Sequence, residues 1–159
     1  MAAKNELSVD PDLDFFITRT FEAPRALVYE AWTNPRHMAQ WWGPAAFTNP
    51  ICNIDLRPGG NYYFSMRSPA GIDYPCSGTY QEIIPNERLV MTIDCTDHPE
   101  EWYDQVFPGR DKSKGLPQLN LTQTVTFERR DGKTTLRIRT RFDSKEIRDA
   151  MQKMGMSEG

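Results

Sequence analysis

The sequence lacks most of the features that mark membrane, secreted and metal-binding proteins. It has three cysteines among 159 residues, Cys52, Cys76 and Cys95, and no Cys-x-x-Cys pair, so the spacing supports neither a zinc knuckle nor a dithiol redox motif. No stretch approaches the roughly 18 apolar residues of a membrane span. The first ten residues lack the apolar core of a secretory signal. We therefore expect a cytoplasmic protein with reduced thiols and no membrane contact.

The sequence also lacks a charge excess and the common catalytic motifs. The sequence has 19 Lys and Arg residues and 22 Asp and Glu residues, which give a formal net charge of −3. This charge argues against a general nucleic-acid binder. A phosphate-binding glycine loop and the HExxH, GxSxG and GxGxxG motifs are all missing. The two histidines, His37 and His98, have no evident orienting partner. We predict no catalytic residue, no cofactor and no metal, and expect binding rather than catalysis.

What the sequence does contain is alternation of apolar and polar residues in seven stretches, which predicts seven β-strands. The predicted strands are residues 13–21, 47–56, 61–67, 74–84, 88–94, 121–130 and 133–142. Two short helices are predicted after the first strand, because Pro24 and Asn34-Pro35 are helix-start signals. A last helix is predicted to begin at an Asp143 cap and to end at Gly155.

This order of elements predicts an α+β fold, a curved antiparallel sheet with helices against its concave face. Residues 1–12 are predicted to be a disordered N-terminal tail, and residues 13–159 a single domain. Asp131-Gly132 predicts a two-residue turn between the last two strands, and Gly78 a bulge or bend. Residues 97–118 are predicted to be a long loop with a short turn at 101–106.

The largest apolar feature is Trp41-Trp42-Gly43-Pro44, two indoles followed by residues that end a helix. Each indole can bury roughly 200 Å² of surface. The pair fits either a plug in the core or the wall of an apolar ligand pocket, and the sequence leaves both interpretations open.

Four motifs together resemble the heat-shock-protein-90 ATPase activator homologue-like family of the START-related helix-grip (SRPBCC) superfamily. They are ITRTFEAP at 17–24, AWTNP at 31–35, WWGP at 41–44 and DLRPGG at 55–60. The resemblance implies a seven-stranded antiparallel sheet that grips a long C-terminal helix, with an apolar cavity between them. GMSEG at 155–159 resembles the family motif that opens this helix. We therefore expect the long helix to be missing or to lie beyond Gly159.

By analogy with that fold, we predict non-enzymatic binding of a small apolar or aromatic ligand between sheet and helices. The predicted ligand-binding residues are Trp42, Phe47, Tyr62, Phe64, Met66, Tyr80 and Met91. A chaperone-linked or other protein-interaction module is one alternative. A cyclase- or hydrolase-like enzyme in the same cavity is a second alternative, which would need a positioned acid or base.

The last predicted hairpin carries a stripe of basic residues. Arg137, Arg139 and Arg141 are predicted to point outward, because the residues that alternate with them are apolar. The stripe fits either a solvated sheet face or a docking surface for an acidic protein partner. A homodimer is a further assembly that the sequence leaves open.

Overall fold

The computed structural model describes residues 10–42, 46–95, 98–107, 109–111, 113 and 120–153. Within them the chain forms seven strands and four short helices. In order they are β1 (Asp14–Phe21), α1 (Arg25–Thr33), α2 (Pro35–Trp41), β2 (Thr48–Ile54), β3 (Asn61–Arg67), β4 (Asp73–Ile84), β5 (Arg88–Asp94), α3 (Glu100–Val106), β6 (Asn120–Arg130), β7 (Lys133–Arg141) and α4 (Lys145–Lys153). Residues 1–9 of the predicted tail, Gly43-Pro44 and the motif at 155–159 lie outside the described residues.

All seven strands belong to one curved antiparallel sheet in the order β1-β7-β6-β5-β4-β3-β2. From β2 to β7 each strand pairs with the next one along the chain, and β1 adds at the β7 edge. The predicted α+β class and helix-grip architecture are confirmed. No helix in the described ranges has the length and apolar character needed to cross a membrane.

The helices pack on one face of the sheet, which we call the inner face, and divide it between two core clusters. In the first cluster, Val28 and Trp32 of α1 and Met38 of α2 pack against central-strand residues such as Leu89 and Val125. The second cluster packs α3 and α4 against the sheet and contains Phe15, Cys76, Ile93, Cys95, Tyr103, Leu121, Phe142 and Ile147. Burial of these side chains is the main force that holds the helices on the sheet.

Two of the local sequence signals act as predicted, and one acts one residue later. The Asn34 side chain accepts a hydrogen bond from Arg36 N at 2.9 Å, with Pro35 opening α2. Asp131 and Gly132 both have positive φ, as the tight turn between β6 and β7 requires. The predicted Asp143 cap is wrong, because the Ser144 hydroxyl accepts from Ile147 N at 3.2 Å at the start of α4.

Gly78 marks a close crossing inside β4 rather than the predicted bulge, because the register shift of this strand lies between Tyr80 and Glu82. The Tyr62 ring passes directly over Gly78, and its hydroxyl donates a hydrogen bond to the Thr92 carbonyl oxygen. A Cβ atom at position 78 would lie 1.9 Å from that oxygen and 2.6 Å from the Tyr62 hydroxyl. Only glycine therefore fits where β3, β4 and β5 meet.

Replacing Gly78 with alanine should lower the free energy of unfolding by about 1–3 kcal/mol, because the methyl group overpacks this crossing. Urea denaturation followed by circular dichroism measures the change. Ser77→Ala is the matched control, since Ser77 points to the outer face, and it should change stability by no more than about 0.5 kcal/mol. Equal midpoints for the two variants would contradict the steric role of Gly78.

Candidate functional site

Sheet register places most of the predicted ligand-binding residues on the inner face. Tyr62 lies opposite Gly78, and Tyr80 lies opposite Met91. Because side chains alternate between faces along a strand, Phe64 and Met66 share this face with Tyr62. Trp42 and Phe47 lie in the connection between α2 and β2. Trp42 directly follows the end of α2, and Phe47 directly precedes the start of β2.

Trp42 begins a chain of aromatic contacts that runs across the sheet. The ring centroids of Trp42 and Phe64 are 5.3 Å apart. Those of Phe64 and Tyr62 are 4.7 Å apart, and those of Tyr62 and Tyr80 are 5.5 Å apart. Trp42 also packs against Trp41, whose indole N–H donates to the Ala31 carbonyl oxygen at 2.7 Å. The Trp pair therefore joins α1 and α2 to the central strands.

The predicted residues differ in burial and in the cluster they join. Tyr62, Phe64, Tyr80 and Met91 are each at most 3% exposed and belong to the first cluster. Phe47 packs instead on Tyr74, with ring centroids 5.8 Å apart, near the second cluster. Tyr62, Phe64, Tyr80 and Met91 therefore pack within the core, and the role of all seven residues in ligand binding stays a prediction.

A row of facing residues that contains three polar side chains crosses the inner face where the two clusters meet. Gln123 lies on β6 between Leu121 of the second cluster and Val125 of the first. Across the strands, Gln123 lies opposite both Thr140 and Met91, and Met91 lies opposite Tyr80. We call Tyr80, Gln123 and Thr140 the polar seam. The sequence analysis predicted Tyr80 as a site residue but did not predict Gln123. Gln123 takes the place of an apolar residue in the row that also contains Leu121 and Val125, and this substitution is visible in the sequence.

The polar seam contains buried polar atoms that other described residues do not satisfy. Gln123 donates from Nε2 to the Thr140 hydroxyl at 3.4 Å, while its Oε1 has no partner among those residues. The Tyr80 hydroxyl and the Trp42 indole N–H are likewise buried without a described partner. Each such atom costs about 1–3 kcal/mol of desolvation, and the large majority of buried side-chain polar atoms have a hydrogen-bond partner.

Beside the polar seam, part of the inner face is less deeply covered. Ile17 and Ile138 lie opposite each other on β1 and β7, two residues along from Thr140, and both are only partly buried. Ile138 lies opposite Val125, diagonally across from Gln123 on the neighbouring strand. This juxtaposition offers an apolar surface next to a hydrogen-bond acceptor, which is the usual composition of a small-molecule site.

A second group of chemically active side chains lies in the second cluster. The sulfur atoms of Cys76 and Cys95 are 3.9 Å apart, and the Cys76 sulfur is 3.5 Å from His98 Nε2. All three residues are buried. Their ligand atoms lie within 4.8 Å of one another. A hydrogen bond from Cys95 and the nearby His98 lower the pKa of Cys76 to about 6, although burial acts in the opposite direction.

The spacing of the three cysteines did not predict this group, because it depends on strand register. On β4 and β5, Ser77 lies opposite Asp94. Continuing this register by one residue places Cys76, just before Ser77, opposite Cys95, just after the end of β5. The third member had a visible signal, since Cys95 and His98 are spaced as Cys-x-x-His. The remaining cysteine, Cys52, lies in β2, and burial raises its pKa to about 11.

The predicted basic stripe is largely paired with acidic groups. The Arg141 guanidinium donates two hydrogen bonds to Asp14, at 2.7 and 2.8 Å, and the Asp14 side chain has no solvent exposure. Arg137 lies 3.5 Å from a Glu128 carboxylate oxygen. The role of Arg137, Arg139 and Arg141 as a docking surface remains a prediction, and the charges of Arg137 and Arg141 lie beside carboxylates.

A trough of about 890 Å³, lined mainly by outer-face residues, shares only Tyr62 with the predicted ligand-binding residues. Its lining mixes the hydroxyl groups of Ser77, Thr79, Thr92 and Thr122 with apolar side chains that include Leu13, Leu121 and Phe142.

Comparisons with known proteins agree with this fold. The profile of the family described as activator of Hsp90 ATPase homolog 1-like protein matches residues 22–159. A Nitrosomonas europaea structure is 24% identical, covers 95% of this chain and 88% of its own, and has a TM-score of 0.76. A Mycobacterium smegmatis structure is 22% identical, with coverages of 97% and 88% and a TM-score of 0.73. An HSP90 activator from Plasmodium falciparum is 18% identical, with coverages of 82% and 73% and a TM-score of 0.54. No curated protein matches the sequence.

The Asp14–Arg141 pair gives a testable pH dependence. Burial raises the pKa of Asp14, but the bonds from Arg141 and from Asp10 N outweigh it and hold the pKa below its ordinary value of 3.8. The pair therefore stabilises the fold above about pH 4, and this contribution is lost as the pH falls through the lowered pKa. Asp14→Asn should reduce the free energy of unfolding by about 2 kcal/mol at pH 7, and by less at pH 3.

Denaturant titrations between pH 7 and pH 3 measure this difference. Asp73→Asn is the control, because the Arg67–Asp73 pair has both side chains nearly half exposed and should contribute much less. An Asp14 variant whose deficit is the same at every pH would contradict the ion-pair explanation.

Proposed function

Because this chain belongs to the activator of Hsp90 ATPase homolog 1-like family, we propose that it binds a small, largely apolar molecule on the inner face of its sheet. The polar seam and the partly buried Ile17–Ile138 pair form the proposed site. The molecule is bound without chemical conversion, since the seam supplies an amide and two hydroxyl groups rather than a strong acid or base.

The observation that carries this proposal is the buried Gln123 Oε1 atom, which has no partner in the described part of the chain. An unsatisfied amide oxygen in a core lowers stability, and replacing glutamine with an apolar residue would remove that cost. A ligand that donates a hydrogen bond to this oxygen explains why a glutamine is useful here. Tyr80, whose hydroxyl also lacks a described partner, supplies a second polar contact two strands away.

These groups define the chemistry of the ligand. The amide oxygen requires a hydrogen-bond donor, such as a hydroxyl group, while the Tyr80 hydroxyl can donate or accept. Their strands are two spacings, or about 10 Å, apart. A flat molecule of two or three rings with a hydroxyl group has the matching length, and its apolar part would contact Ile138, one strand beyond Gln123. The aromatic chain from Trp42 to Tyr80 would then form the supporting wall.

Binding to a chaperone is the second candidate, suggested by the family description and by the Plasmodium falciparum structure described as an HSP90 activator. The surface predicted for an acidic partner is the basic stripe. There, Arg141 is bound to the buried Asp14 and Arg137 lies beside Glu128. Charges that are already paired contribute less to a new interface, which favours the ligand proposal.

The test compares a hydroxyflavone with its methoxy analogue, which lacks the hydroxyl donor. The hydroxyl compound should raise the melting temperature and change Trp fluorescence in a concentration-dependent way, because it binds only the folded chain. Gln123→Leu should weaken binding of the hydroxyl compound about tenfold, or 1.4 kcal/mol, and should abolish the preference over the methoxy analogue. The same substitution should stabilise the free protein by about 1 kcal/mol.

Thr124→Val is the matched control, because Thr124 is the next residue on β6 and points to the outer face. This variant should retain both the affinity and the preference for the hydroxyl compound. The proposal fails if neither compound shifts the melting temperature, or if Gln123→Leu binds the two compounds as the wild type does.

A further inference from the structure

We propose that Cys76, Cys95 and His98 form a binding site for one zinc ion. The site lies in the second cluster, away from the polar seam, and it does not depend on the proposed ligand. Two thiols and one imidazole are ligands that zinc prefers, and three protein ligands with an open fourth position are a known form of zinc site. No residue outside these three is needed to hold the ion.

The distances from Cys76 to the other two ligands agree with tetrahedral coordination. Zinc–sulfur bonds of about 2.3 Å and a zinc–nitrogen bond of about 2.0 Å place two sulfurs about 3.8 Å apart, and sulfur and nitrogen about 3.5 Å apart. The observed Cys76–Cys95 sulfur separation is 3.9 Å, and Cys76 Sγ lies 3.5 Å from His98 Nε2. The sulfur separation is far too long for a disulfide, whose sulfurs lie about 2.05 Å apart. Cys76 therefore stands at coordination distance from both other ligands, and all three ligand atoms lie within 4.8 Å of one another.

The surrounding structure holds each ligand in place. Strand pairing sets Cys76 opposite Cys95, and His98 N donates to the Cys95 carbonyl oxygen at 3.0 Å, which turns the chain back toward the thiols. The Tyr103 hydroxyl donates to the same carbonyl oxygen at 2.7 Å. The His98 ring packs between Tyr74 and Trp102, with centroids 5.5 and 4.4 Å away. Binding therefore requires little reorganisation of the chain.

Charge and burial favour a divalent ion such as zinc over copper(I). Both thiols release a proton to solvent when they bind, so two thiolates and Zn²⁺ form a neutral group. Cys76, Cys95 and His98 are at most 6% exposed, and a neutral group is the least costly one to bury. Copper(I) on the same ligands would leave a net negative charge in the core. A bound zinc ion would tie β4, the end of β5 and the start of α3 together.

Metal binding can be measured on the reduced, chelator-treated chain. After addition of Zn²⁺ and gel filtration, the wild type should retain one zinc per chain and melt at a higher temperature. Co²⁺, used as a spectroscopic probe, should give the visible bands of a tetrahedral site and a thiolate-to-cobalt band in the near ultraviolet. Cys76→Ser, Cys95→Ser and His98→Gln should each lose at least about a hundredfold in zinc affinity, since even outer-shell changes cost 10–100-fold.

The chain supplies a matched control for each ligand type. Cys52→Ser removes the cysteine outside the cluster, and His37→Gln removes the exposed histidine of α2. Both variants should bind zinc as the wild type does. If a ligand variant fails to fold, alkylation of the wild-type thiols decides. Zn²⁺ should slow modification of Cys76 and Cys95, identified by peptide mass spectrometry, and should leave Cys52 unaffected.

Three results would overturn the proposal. One is a reduced wild type that retains no zinc at micromolar protein and metal. Another is a folded Cys76→Ser variant whose affinity equals that of Cys52→Ser. The last is equal protection of all three thiols, which would indicate non-specific binding to free cysteines.

Discussion

The pairing of β4 with β5 is the constraint on which the core and both candidate sites depend. It brings the Thr92 carbonyl oxygen beside Gly78, where the Tyr62 hydroxyl binds it. Further along the same pair of strands, it sets Tyr80 against Met91 and brings Cys76 beside Cys95. Because side chains alternate with a period of two, a shift by one residue would turn all of these groups to the other face. This register requires glycine at position 78, because a Cβ atom there would clash with the Thr92 carbonyl oxygen.

The inner face combines two requirements that oppose each other. Apolar packing of the first and second clusters stabilises the fold, whereas the polar seam between them leaves buried atoms of Tyr80 and Gln123 without described partners. Unsatisfied groups of this kind reduce stability, and proteins commonly accept such a cost at functional sites. Gln123 therefore indicates a functional site, whereas burial of Leu121 and Val125, its apolar neighbours on the same strand, is explained by core packing alone.

The outer face shows how tertiary contacts change the meaning of charge. Arg137, Arg139 and Arg141 form a regular stripe in the sequence, but Asp14 on the neighbouring strand binds Arg141 through two hydrogen bonds. Asp14 and Arg141 are 127 positions apart in the sequence, and their ion pair gives Arg141 a structural role that the sequence pattern does not show. The second cluster gives the converse case, in which Cys76 and His98 are far apart in sequence and adjacent in the fold.

Local and periodic features were determined by the sequence alone. Alternation predicted the seven strands, Asn34-Pro35 and Asp131-Gly132 predicted a cap and a turn, and the four motifs predicted the family and its α+β helix-grip fold. These signals act over a few residues, or through family-wide patterns, and need no knowledge of register. The tertiary structure alone decided that Gly78 serves a close crossing, that Gln123 divides two clusters, and that Cys76, Cys95 and His98 meet. Those relations depend on which residues of different strands face each other, and strand pairing becomes definite only when the whole sheet has formed.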